Sequence, residues 1–96
     1  MDATATPPAV GRGSALRPTQ REVLQLFVRF GPMEDAAVVP CARHAGLTQS
    51  VSSLRTRRAE LVRLGYLYDT GRRVVPDSGS QRPRTVWALV PGAADA

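Results

Sequence analysis

The stretch from Gln49 to Val90, QSVSSLRTRRAELVRLGYLYDTGRRVVPDSGSQRPRTVWALV, decides the fold. Ser50 suits the cap of a helix, because its hydroxyl can accept from a backbone N–H that the first turn leaves unpaired. The helix it predicts runs from Val51 to Leu64, and Gly65 supplies the stop. At about 100° per residue, Val51, Leu54, Leu61 and Val62 share one side, with Ser52, Thr56, Ala59 and Arg63 opposite. Tyr66-Leu67-Tyr68 then reads as a strand, since aromatic side chains suit a pleated, half-buried surface. Asp69-Thr70-Gly71 is a turn signal, and Arg72 to Val75 can continue in extended form. Pro76 to Ser80 is a loop tip, and Arg84 to Val90 is the return strand.

Upstream, two more helices are predicted. Thr19-Gln20-Arg21-Glu22 has the spacing of a capping box, with a hydroxyl followed three residues later by a carboxylate. Val23, Leu24, Phe27, Val28 and Phe30 follow at helical spacing, and Gly31-Pro32 ends the run, so a helix is expected over 20–30. Asp35 resembles an N-cap for a helix from Ala36 to about His44, ended by Gly46. Pro40 lies inside that helix and should kink or shorten it. Residues 1–18 and 91–96 read as loose tails, leaving one folded unit over 19–90. Three helices followed by a β-hairpin define an α+β chain in the order of a winged helix-turn-helix. Leu24, Phe27, Val28, Leu54, Leu61, Trp87 and Leu89 are the expected core, with Trp87 and Leu89 on one face of the last strand.

Composition narrows the function. The chain has 96 residues, 13 Arg and no Lys, with a formal net charge of +5. That length suits one domain. The longest near-apolar run is far short of the ~20 residues that a membrane span needs. The first residues lack the basic-then-apolar order of a secretory signal, so the cytoplasm is the expected compartment. Cys41 and His44 are too few ligands for a structural zinc site, and no other cofactor is implied. The eight acidic residues are scattered, and one histidine supports no nucleophile–base arrangement, so an enzyme is not expected.

Several short pieces of this sequence occur together in a known group. They are Gln49-Ser50 with Ser52, Arg55 to Leu61, Gly65-Tyr66-Leu67, Asp69 to Arg73, and Val86-Trp87 with Leu89. In this order they resemble small winged helix-turn-helix DNA-binding proteins of high-GC bacteria and their phages. The resemblance is close over Gln49 to Val90 and loose over Thr19 to Val90. Pro40 departs from the usual second helix of that group. The resemblance implies that the third helix enters the major groove of double-stranded DNA, while the hairpin wing touches the backbone or minor groove.

The charge distribution agrees with that expectation. Arg43 to Arg84 holds nine Arg and three acids, for +6, whereas the rest of the chain totals −1. Gln49, Ser50, Ser52, Ser53 and Thr56 offer short polar groups at the start of the third helix, with Arg55 and Arg57 beside them. Gln pairs well with adenine, and Arg with guanine. Arg72, Arg73, Arg82 and Arg84 are candidates for phosphate contact from the wing. Ser50 is also a cap, Ser52 and Ser53 also suit a plain solvated surface, and Arg72 and Arg73 also suit a charge-protected sheet edge. Arg58 stands apart, because the wheel puts it between Leu54 and Leu61, where either its stem packs and its head reaches solvent or it pairs with a carboxylate; the expected partner is Asp69, Glu22 or Asp35. The expected function is a transcriptional or recombination-directing regulator, a monomer or weak homodimer. The alternative is a winged helix that binds a host or replication protein through the same face.

Overall fold

The computed structural model describes residues 16–75 and 82–93. Three helices come first: α1 (Pro18–Phe30), α2 (Asp35–His44) and α3 (Val51–Arg63). Two strands follow, β1 (Leu67–Val74) and β2 (Arg84–Leu89), paired antiparallel as a two-stranded sheet. Met33 adds one further bridge to β2, exchanging two backbone hydrogen bonds of 3.0 Å with Trp87. This is the winged-helix fold expected from the sequence. The Pro76 to Ser80 loop tip, most of the first expected tail and the end of the second lie outside the described residues.

The helix ends carry most of the local logic. α1 starts two residues earlier than the Thr19 capping box implied. Pro18 occupies the first turn, and the Gln20 side chain accepts from the Arg17 N–H at 2.9 Å. Proline suits that place because its missing N–H would have no helical partner there. Ser50 caps α3 as expected, accepting from the Ser53 N–H at 3.1 Å. α2 and α3 end alike. Gly46 N–H donates to Arg43 O and Leu47 N–H to Ala42 O; Gly65 N–H donates to Val62 O and Tyr66 N–H to Leu61 O. Each is a Schellman stop, which satisfies carbonyls that the last turn leaves open. The first of these makes the turn between α2 and α3.

α2 runs through Pro40. The proline ring removes the donor that Ala36 C=O would use, but both residues are exposed, so solvent can reach that carbonyl. Asp35 is the first residue of α2 and makes no cap bond; its carboxylate is used elsewhere.

β1 corrects the reading of Asp69-Thr70-Gly71 as a turn. The strand continues through it, and the register shows why. Asp69 faces Trp87, Arg73 faces Thr85, and so Thr70, Gly71 and Arg72 all lie opposite Val86. This is a bulge held by side chains. Asp69 Oδ1 accepts from Gly71 N–H at 2.8 Å, and Thr70 Oγ1 donates to Val86 O at 2.7 Å while accepting from Arg72 N–H at 3.1 Å. Gly71 has φ 83°, a conformation that side chains with a Cβ rarely adopt.

The core gathers Val23, Leu24, Leu26 and Phe27 of α1, Val38 and Ala42 of α2, Leu54 and Leu61 of α3, and Tyr66, Leu67 and Val90 around the sheet. Leu16 and Ala93 are buried with them, so the packed unit extends past both ends of 19–90. One expected core position changes. Val28 is 40% exposed. On β2, Trp87 and Leu89 pack against this core as expected and are partly covered, and Val86 and Ala88 on the opposite face are buried too. Val51, placed on the core side by the wheel, is 48% exposed.

Candidate nucleic-acid interface

The third helix presents a defined outward face. Val51, Ser52, Arg55 and Thr56 are all exposed, and their spacing places them as two adjacent pairs one turn apart. The capping hydroxyl of Ser50 stands at the same end, with Ser52 Oγ 3.2 Å away. An open cleft of about 550 Å³ runs beside this end of α3, bounded by Val51, Arg55, Arg58, Asp35 and Trp87.

Three expected contact residues are engaged inside the protein. Gln49 Nε2 donates to Thr19 O at 3.1 Å and to Glu22 Oε1 at 2.8 Å, and Gln49 Oε1 accepts from Ser53 Oγ at 2.7 Å. Gln49 and Ser53 therefore tie the start of α3 to α1. Arg57 pairs with Glu60 at 2.7 Å, and Glu60 Oε1 also accepts from the buried Gln20 at 3.0 Å. The Gln20 bond, with Arg57 beside it, holds the Glu60 carboxyl below its usual range. These two seams set how α3 lies on α1, and hence where its outer face points. In both, a residue expected to read bases or phosphates has partners within the protein: Gln49 with residues distant in sequence, Arg57 with a glutamate three residues on.

Arg58 has the carboxylate it needs. Its Nε and Nη2 donate to the two oxygens of Asp35, each at 2.7 Å, and its guanidinium lies 4.2 Å from the centroid of the Trp87 ring. One side chain thus joins α3, the start of α2 and β2. The fork geometry and the aromatic face are what a planar guanidinium binds best. Arg55 also approaches Asp35, but at 3.9 Å and with 65% of its side chain exposed. Arg58 has already taken both carboxylate oxygens, so Arg55 is left to face outward.

On the wing, Arg72, Arg73 and Arg82 are exposed. Arg73 pairs with Asp69 at 2.9 Å, but both side chains are 43% exposed. Such a pair contributes little to stability and exchanges readily for another anion. Gly71 N–H and Arg73 together hold the Asp69 carboxyl below its usual range, the N–H being the larger cause. Arg84 pairs with Glu34 at 3.1 Å and so braces β2 against the start of α2. Val51 was missed as a surface residue because the wheel placed it on the apolar side. Its position at the first turn, beyond the reach of the core, was the available signal.

Among the described residues, no group of three or more His, Cys, Asp or Glu side chains is placed to hold a metal ion. No described helix is long and apolar enough to cross a membrane.

Three helices, a helix–turn–helix and a two-stranded wing define the class: a winged-helix domain. Among solved structures, the ferric uptake regulator from Francisella tularensis, solved with iron, is similar in fold, with a TM-score of 0.58 and 15% identity. The match covers 88% of this chain and 60% of that one, so the chain spans under two thirds of that regulator's length. No protein-family model matches the sequence, and no curated protein does.

Proposed function

We propose that this protein binds double-stranded DNA as a regulator of transcription or recombination, with α3 in the major groove and the wing along the backbone. The observation that carries the proposal is the exposed face of Val51, Ser52, Arg55 and Thr56 beside a wing bearing exposed Arg72, Arg73 and Arg82. Short polar groups let a helix approach base edges, and guanidiniums at its flank suit phosphates. α3 has 13 residues and is about 20 Å long, enough to lie in a major groove. The structural neighbour is itself a regulator, which supports the same reading.

Within this proposal the residues divide by task. Ser50, Ser52, Arg55 and Thr56 face the bases or nearest phosphates, and Arg72, Arg73 and Arg82 follow the backbone. Gln49, Ser53, Arg57 and Arg84 orient the elements that carry them. The protein acts as a monomer or weak dimer, without catalysis and without a cofactor, in the cytoplasm of a high-GC bacterium, where its gene is bacterial or phage-borne. Selection of bound duplexes from a random pool tests the proposal. Enrichment of a common site supports it. A folded protein that enriches nothing refutes it, and the exposed Val28 and Phe30 at the end of α1 would then favour a protein partner.

A further inference from the structure

We infer that Val51 and Arg55 form a base-reading pair that selects a T·A and a G·C base pair one or two steps apart. The inference rests on the DNA-binding proposal and adds the chemistry of the site to it. With Gln49 and Ser53 turned inward to α1, the outward face of the first two turns of α3 keeps one guanidinium, one isopropyl group and two hydroxyls. Hydroxyls accept and donate, so they discriminate weakly between bases. The other two groups discriminate well. A guanidinium matches guanine O6 and N7 with two parallel hydrogen bonds, and an apolar group at this depth in the groove matches the thymine methyl, which no other base carries.

Stability does not explain a valine at this place. Val51 is 48% exposed and stands in the first turn of α3, where its branched side chain disfavours the helix and packs little. Arg55 sits one turn further on, on the same side, largely exposed and tied to Asp35 only by a long ion pair of 3.9 Å. Four residues of helix advance about 6 Å. Stacked base pairs are about 3.4 Å apart. A helix lying along the groove therefore sets the two side chains against base pairs one or two steps apart.

The test uses duplexes selected by the wild-type protein, in which each thymine is replaced singly by uracil and each guanine by 7-deazaguanine. Affinities are measured for wild type, Val51→Ala and Arg55→Ala. Both side chains are exposed, so the variants should melt with the wild type. For wild type, one uracil position should weaken binding about four-fold, the worth of one buried methyl. One deazaguanine position, one or two steps away, should weaken it about ten-fold. Val51→Ala should lose the first sensitivity alone, and Arg55→Ala the second alone. If Val51→Ala keeps the uracil effect, if no thymine responds, or if the two positions lie more than two steps apart, the inference is overturned while DNA binding stands. If wild type binds no duplex at all, the DNA-binding proposal falls and takes the inference with it.

Discussion

Arg58 shows how one side chain can settle the geometry of a small domain. It is 13% exposed and holds Asp35 with a two-pronged bond over the Trp87 ring. Removing either partner leaves the other charge poorly solvated, so Arg58→Ala and Asp35→Asn should each cost about 2–3 kcal/mol in denaturant unfolding, below the full figure for a wholly buried pair because some water reaches both groups. That the arginine sits on the core side, where a carboxylate partner is expected, was legible from its place on the wheel. Which carboxylate was not, because the partners are 23 residues apart and only the packing of α2 on α3 brings them together. Gln49 gives the opposite lesson. Its type and position suggested adenine recognition, yet its amide is spent on Thr19, Glu22 and Ser53. Gln49→Ala should lower stability by about 1–3 kcal/mol, since it leaves part-buried groups unpaired. In the DNA-binding account it should weaken binding evenly across sequences, whereas a change of preference at one base would restore the direct role.

At the scale of elements, the helices were well predicted where a local signal ended them. Ser50, Gly46 and Gly65 mark boundaries by bonds made within a few residues, so their meaning survives without knowledge of the fold. The strands were harder. Their length was legible, and so was the face of β2 that packs on the helices, but the irregularity inside β1 was not. The bulge at Thr70 was read as a turn because Asp-Thr-Gly satisfies the same local bonds in either. It matters to the wing, since it adds local twist to the strand just where Arg72 and Arg73 emerge. Asp69 supports the bulge as a carboxylate, with its acidity raised by Gly71 N–H and Arg73. A carboxyl group held below its usual range contributes stability at neutral pH that is lost as the pH falls through that range, below about 4. The wing should therefore loosen on acidification, read as lower amide-exchange protection factors at Gly71 and Arg72. Asp69→Asn should show the looser wing already at neutral pH and little further change.

For the whole molecule, the decisive feature is the placement of charge. Nine arginines lie between Arg43 and Arg84; those that pack α3, namely Arg57 and Arg58, are held by carboxylates, and the exposed ones include Arg55 at the start of α3 and Arg72, Arg73 and Arg82 on the wing, with Arg43 and Arg63 at the ends of α2 and α3. Sequence arithmetic found the basic half of the chain. It could not separate arginines that build the fold from arginines that face outward, since both count equally in a net charge. The most direct test of DNA binding is a titration of wild type and Arg72→Ala against a selected duplex at several salt concentrations. The account predicts that wild-type affinity falls steeply with salt, and that Arg72→Ala reduces the slope by about one, at unchanged base preference. A folded protein with no duplex affinity at about 50 mM salt, where a binder of several phosphates gains orders of magnitude, would contradict it.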